Sequence, residues 1–402
     1  MKIGILTFHR SVNCGAVMQA YSLSKRLKKE YPDYEIEIID YNSKIMNDYY
    51  SYSLSNVYKK GKSLRQMLIE TLWLIKNPGI LKKLKKRTSV FKQSINKLPL
   101  SPDCIIDDDY HQVFAYINSR YDCLIVGSDA VWNYTKRGFP NAYFPDMTIT
   151  CKKSSYAASC YGMDFLFQEE KKASIKQILD GFDLIGVRDL ATEEFVKWSG
   201  SMTRTMHTCD PTAFLDVNDL PINIKELREK LCERGFDFNR PTIGMMGGNR
   251  MFRMIRTLYG KKYQVVALYE YIKDADVNLY DLDPYEWAYV FRYFKLTFTT
   301  YFHAVMLSLR NGVPVVCIAL PSEFSKNHTP KTLDFLQRLG YKSWYFSTDY
   351  HGLNYDLIRR KADELLQGNL YLEIVQKVDE EAKSFDNYNK KLKIILEDKK
   401  NG

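Results

Sequence analysis

Three polar residues stand where an apolar, strand-like run gives way to a loop or a helix: Asp129, Arg188 and His303. Open α/β sheets hold their ligands at such junctions. His303 closes the stretch Thr300-Tyr301-Phe302-His303. Its imidazole can move a proton near neutral pH, and a helix beginning there offers backbone amides to an anion; an imidazole satisfied within the core is the other reading. Arg188 directly follows the run over 184–187. A guanidinium there can clasp a carboxylate or phosphate through two hydrogen bonds, or pair with the adjacent Asp189. Asp129 lies between Gly127-Ser128 and Val131-Trp132-Asn133. Carboxylate, indole and amide together suit a sugar; a turn followed by a packed Trp accounts for the same residues.

The elements that must position these groups are legible as alternating patterns. Short apolar runs over 2–7, 35–39, 123–126, 154–158 and 184–187, with helical spacing over 16–29, predict a parallel sheet. A break over 210–221 separates a second series. Its strands are predicted over 242–246, 264–268, 296–299 and 315–319, with helices over 284–294 and from 300 to 309. From 355 to 396 the pattern is helical and charged. The expected architecture is α/β: two Rossmann-like domains facing a central cleft, with C-terminal helices closing the fold. Boundaries are expected at 1–215, with a basic helical insertion at about 55–98, then 216–352 and 353–402.

Composition narrows the function classes. At 402 residues the chain has room for two or three domains. With 45% hydrophobic and 14% aromatic residues, disorder is excluded for most of it. No apolar run approaches the roughly 18–20 residues of a membrane span, and the first ten residues do not read as a signal peptide. Eight cysteines without C-x-x-C spacing signal neither zinc nor a disulfide scaffold and fit a reducing cytoplasm. No metal is expected: His and Cys do not cluster, and Asp107-Asp108-Asp109 reads as a solvated turn. Phosphate-cradling glycine motifs are missing. The net charge of +10 is local, because 59–97 holds twelve basic residues and one acid, Glu70. Leu64, Met67, Leu68, Leu72 and Ile75, then Ile80, Leu81, Leu84, Phe91 and Ile95, recur at helical spacing around the breaker Asn77-Pro78-Gly79. This predicts a helix pair, either packed on the core with a solvated basic face or lying on an anionic membrane surface. Nucleic acid is not expected, since no recognition motif accompanies the charge.

Taken in order, several stretches resemble the polysaccharide pyruvyl transferase family. They are Gly4-Ile5-Leu6-Thr7-Phe8-His9, Asn13-Cys14-Gly15-Ala16-Val17-Met18-Gln19, Ile125-Val126-Gly127-Ser128-Asp129, Ser155-Tyr156-Ala157-Ala158-Ser159, Gly186-Val187-Arg188-Asp189, Asp210-Pro211-Thr212 and Thr300-Tyr301-Phe302-His303-Ala304. The resemblance runs from 2 to about 341. It implies a GT-B-like fold and transfer of a pyruvyl group from phosphoenolpyruvate to sugar hydroxyls of a surface polysaccharide or its polyprenyl-diphosphate-linked precursor, leaving a pyruvate ketal. Phosphoenolpyruvate is then a co-substrate and no further cofactor is needed. By the same resemblance His303 and Arg188 are catalytic. Arg188, Thr300, Tyr301, Phe302, His303, Lys326 and Lys331 are the expected donor-binding residues; Asn13, Asp129, Trp132 and Asn133 are expected on the acceptor side. The family commonly carries Arg two places before the matching His. This chain has Tyr301, so that anion contact is lost or comes from Lys326, Lys331 or Arg256. The expected location is the cytoplasm, peripheral at the inner face of the plasma membrane. A sugar-nucleotide-dependent glycosyltransferase on the same fold and a non-catalytic component of a glycan-assembly complex are the alternatives.

Overall fold

In the computed structural model, residues 1–44, 63–76, 78–135, 137–319, 328–347 and 353–398 are described. Two six-stranded sheets organise the chain, and every strand pairing in them is parallel. The first contains β1 (Lys2–Leu6), β2 (Glu35–Ile38), β3 (Cys123–Val126), β4 (Lys152–Ala158), β5 (Leu184–Val187) and β6 (Thr205–His207), in the order β2-β1-β3-β4-β5-β6. The second contains β7 (Thr242–Met246), β8 (Gln264–Leu268), β9 (Val277–Leu279), β10 (Phe294–Thr299), β11 (Val315–Ala319) and β12 (Tyr345–Ser347), in the order β12-β11-β10-β7-β8-β9. Helices cover both sheets, giving two Rossmann-like α/β units. The central strands are buried along their whole length, as the apolar runs Cys123–Val126 and Val315–Ala319 require of strands covered on both faces.

Three strands escape the sequence pattern: β6, β9 and β12. Each has three residues, and β6 and β12 are sheet edges with partly exposed side chains. The helix expected over 284–294 is also shorter. It runs Pro284–Val290 behind an Asp283 capping box, continues as a 3₁₀ turn, and Phe294 already belongs to β10. The next helix starts at Phe302, because Tyr301 is still extended (φ −109°).

The C-terminal helices tie the molecule together. Tyr371–Ala382 packs against the 3₁₀ turn Pro211–Phe214, and Ser384–Glu397 returns to the first sheet. There Tyr388, fully buried, places its hydroxyl 2.8 Å from Ser154 Oγ and its ring 4.9 Å from that of Tyr156. The basic segment contributes two helices, Leu64–Lys76 and Ile80–Ile95. Phe91 and Ile95 of the second are buried in the core, while its cations reach the second sheet's loops. Arg87 Nη1 donates to the Tyr269 carbonyl at 2.9 Å. Lys86 lies 2.7 Å from Asp281, and Lys83 lies over the Tyr271 ring. No helix among the described residues is long and apolar enough to cross a membrane. Because Tyr388 is where the last helix grips the first sheet, Tyr388→Ala is expected to lower unfolding free energy by about 3–5 kcal/mol. Urea denaturation followed by circular dichroism measures this; a loss below about 1 kcal/mol would mean that the helix is dispensable.

Candidate functional site

The carboxyl ends of both sheets open on one cavity of about 640 Å³. From the first unit, Asn13 and Cys14 line it after β1, Asp129 after β3 and Tyr161 after β4. From the second come Gly248 and Asn249 after β7, Tyr269 to Ile272 after β8, and Thr300, Tyr301, Phe302 and His303 after β10, joined by Lys331. Ile80, Leu84 and Arg87 of the basic helix complete the wall.

His303 is the second residue of the helix Phe302–Arg310, whose N-terminus no side chain caps. That leaves first-turn amides and the positive end of the helix dipole toward the cavity. The imidazole is 8% exposed, its Nε2 lies 3.8 Å from Asp210 Oδ2, and Nε2 makes no hydrogen bond. Gly15 makes this position possible: a Cβ there would stand 2.0 Å from the ring. The sequence offered Gly15 only as part of a motif. Burial lowers the pKa of His303 to about 4, against the pull of Asp210 and Asp129 and helped by Lys331 and Arg188. The ring is therefore neutral at neutral pH.

Behind His303 lies a buried ionic cluster. Arg188 is 2% exposed and does not line the cavity. Its Nη1 donates to Asp210 Oδ2 at 2.8 Å; Nη2 is 3.6 Å from Asp129, and Nε is 3.9 Å from Asp189. Nε and Nη2 make no hydrogen bond. Its planar group lies 5.1 Å from the Phe302 ring. Burial works against the charge of Arg188, but Asp210, Asp129 and Asp189 raise its pKa above the ordinary value. Burial likewise opposes ionisation of Asp129, yet Arg188, His303 and Lys331 hold it at about 2. Asp210 is lowered in the same way, by Arg188 and then His303. It also accepts from Gln19 at 2.5 Å and from the Thr212 amide at 3.0 Å. Asp210 stood in a sequence motif but was not among the expected site residues; only its place in the fold shows that it links Arg188 to His303.

The other expected residues divide. Asn13 lines the cavity and caps the helix Cys14–Glu30 by accepting from the Gly15 amide at 3.0 Å. Lys331 lines it between the rings of Phe302 and Tyr161, at 5.2 and 5.1 Å. Burial and then Arg188 lower its pKa. Tyr301 lines the cavity too, its hydroxyl hydrogen-bonded to Glu270. Trp132 does not reach it: the indole is fully buried, donates to the Tyr143 carbonyl at 3.1 Å and packs on Phe144, Phe182 and Phe195. A packed indole, rather than a sugar platform, is what that turn supports. Asn133 is turned to the Tyr161 carbonyl and to Thr135, and does not line the cavity. Arg256 pairs with Asp276 on the surface and does not line the cavity, so it does not supply the anion contact expected of it. Lys326 lies outside the described residues. Sequence reasoning also missed Trp287. It is 1% exposed, lines the cavity, and its Nε1 has no hydrogen-bond partner. Among the described residues no group of three or more His, Cys, Asp or Glu is placed to hold a metal.

A family model described as polysaccharide pyruvyl transferase matches residues 13–322. No curated protein matches the sequence significantly. Among solved structures, the UDP-GlcNAc 2-epimerase of Neisseria meningitidis is 10% identical with a TM-score of 0.55, over 98% of this chain and 99% of that one. The UDP-GlcNAc 2-epimerase of Methanocaldococcus jannaschii is 10% identical with a TM-score of 0.55, over 92% and 94%. A UDP-glucose: anthocyanidin 3-O-glucosyltransferase is 10% identical with a TM-score of 0.50, over 98% of each chain. At such identities the likeness establishes the fold, which is of the GT-B type.

The buried neutral imidazole has a measurable consequence. In the unfolded chain His303 titrates near its ordinary 6.5, and in the native state near 4. As pH falls through this window the unfolded state takes up a proton that the native state refuses, so stability falls. His303→Gln is expected to flatten stability against pH between about 6.5 and 4 relative to the native chain. Chemical denaturation at half-unit pH steps reads it, and identical slopes for the two proteins would show that the ring is not buried neutral.

Proposed function

Because the chain belongs to the polysaccharide pyruvyl transferase family, we propose that it moves a pyruvyl group from phosphoenolpyruvate to two hydroxyls of a saccharide acceptor. That acceptor is a surface polysaccharide or its lipid-linked precursor. The observation that carries the reading is that His303, an uncapped helix N-terminus and Lys331 line one cavity, with Asp210 behind the imidazole. Phosphoenolpyruvate joins a carboxylate to a phosphate ester, and amides with a lysine suit both.

The chemistry balances without a redox partner. One acceptor hydroxyl adds at C2 of the enol while C3 takes a proton and becomes the methyl group. The C2–O bond to phosphate then breaks, and the second hydroxyl closes the ketal, its proton leaving with phosphate. On this reading His303 carries those protons. It is neutral at neutral pH, so it begins as a base. An incoming anion favours the imidazolium and raises its pKa, so it becomes an acid once the donor is bound. Asp210, held by Arg188, faces the ring and steadies that charge. Arg188 acts as a positioning residue through Asp210 and Asp129.

Two measurements test this. Calorimetry with phosphoenolpyruvate in buffers of different ionisation enthalpy should show binding with proton uptake above pH 6. Binding of a UDP-sugar with none of phosphoenolpyruvate would favour a glycosyltransferase instead. In a mass-spectrometric assay over a panel of lipid-linked and soluble saccharides, His303→Ala should lower turnover by roughly 10²–10⁴-fold with the fold intact. Near-normal turnover in the folded variant would remove His303 from the chemistry.

A further inference from the structure

Four large apolar side chains of the helix Leu64–Lys76 face solvent: Leu64 is 80% exposed, Leu68 62%, Leu72 53% and Ile75 70%. At about 100° per residue they fall within an arc of about 80°. This is a continuous apolar stripe, which a soluble surface rarely shows without a use. None of the described residues covers it.

The surrounding charge says what does. The stretch 59–97 carries twelve basic residues and one acid. On the adjoining helix, across the turn at Pro78-Gly79, Lys83 and Lys86 are engaged with Tyr271 and Asp281. Lys82, Lys85 and Lys92 are exposed and form no ion pair among the described residues. A second copy would set one such field against another of the same sign and be repelled. An anionic lipid surface attracts the field and accepts the stripe. We infer that the helix Leu64–Lys76 lies in the headgroup layer of an anionic membrane, its Leu64–Leu68–Leu72–Ile75 stripe in the lipid and the lysines of the next helix on the phosphates. This deepens the lipid-linked reading of the acceptor and rests on it for its purpose only.

The expectation differs from plain electrostatic adsorption. Salt near 1 M shortens the Debye length to about 3 Å and removes most of the charge contribution, but the inserted stripe keeps part of the protein bound. Cosedimentation with vesicles of phosphatidylcholine, alone or with roughly a quarter phosphatidylglycerol, gives the readout. The native protein should bind the anionic vesicles and stay partly bound in salt. Leu64→Gln/Leu68→Gln/Leu72→Gln should weaken binding by about tenfold or more and leave phosphoenolpyruvate calorimetry unchanged. Lys82→Gln/Lys85→Gln/Lys92→Gln should weaken it on anionic vesicles only. The inference is overturned if the native protein ignores both vesicles, if salt releases it wholly with the leucine variant binding as before, or if light scattering shows a dimer that the leucine variant dissociates. Failure of phosphoenolpyruvate binding would instead count against the pyruvyl reading, since lipid binding does not depend on it.

Discussion

The site hangs on one guanidinium. Arg188 is withdrawn from water and stands among Asp129, Asp189 and Asp210. An unpaired charge at such depth is not tolerated, so its position and theirs are fixed together. Each aspartate belongs to a different strand end or to its following turn, and each also anchors backbone: Asp129 at Ala130, Asp189 at Thr192, Asp210 at Thr212. Removing the arginine leaves three carboxylates buried, the kind of loss that costs about 3–5 kcal/mol. The cluster is therefore a structural knot as well as an electrostatic one. Through Asp210 it reaches Gln19 of the first helix and the imidazole of the second unit, so both halves of the molecule meet on it.

That arrangement decides how the cavity can meet an anion. Arg188 is committed to carboxylates, so Lys331, the uncapped amides at Phe302–Arg310 and His303 are what the cavity offers an anion. A permanently charged histidine would draw in the nearby aspartates and close on Asp210. A neutral one, kept neutral by burial and by Lys331 and Arg188, does not. Gly15 is the steric half of the same device: the first unit approaches the ring so closely that no side chain fits between them.

Strand ends such as Val126 and Val187, and the residues beyond them, were legible because a buried parallel strand is an uninterrupted apolar run and its end is abrupt. His303, Asp129 and Asn13 accordingly fall on the cavity, and Lys331, expected only as a stand-in cation from the resemblance, falls there too. Trp132 shows the limit. The same turn that carries a carboxylate toward the cavity sends the next large ring into the core, and an indole is equally at home in either place. Trp287 is the converse: it lies inside an apolar helix pattern, and only the missing partner of its Nε1 separates it from a core residue. Asp210 lies past a short edge strand, β6, that carries no apolar run. Its importance comes from whom it touches, which spacing along the chain does not encode.

The helix Ile80–Ile95 explains why the basic segment was ambiguous. Ile80, Leu84, Arg87, Phe91 and Ile95 form one stripe at helical spacing. Its first half lines the cavity and its second half packs in the core. Periodicity reports that a face is withdrawn from water; it cannot say whether side chains or a ligand meet it. On the flanks Lys83 and Lys86 hold the second unit's loops, and on the far side Lys82, Lys85 and Lys92 stay in solvent. The surplus of charge thus exceeds what joining the two units requires. Because that same helix is a wall of the cavity, whatever surface its outer lysines meet is brought within one helix diameter, about 10 Å, of that cavity.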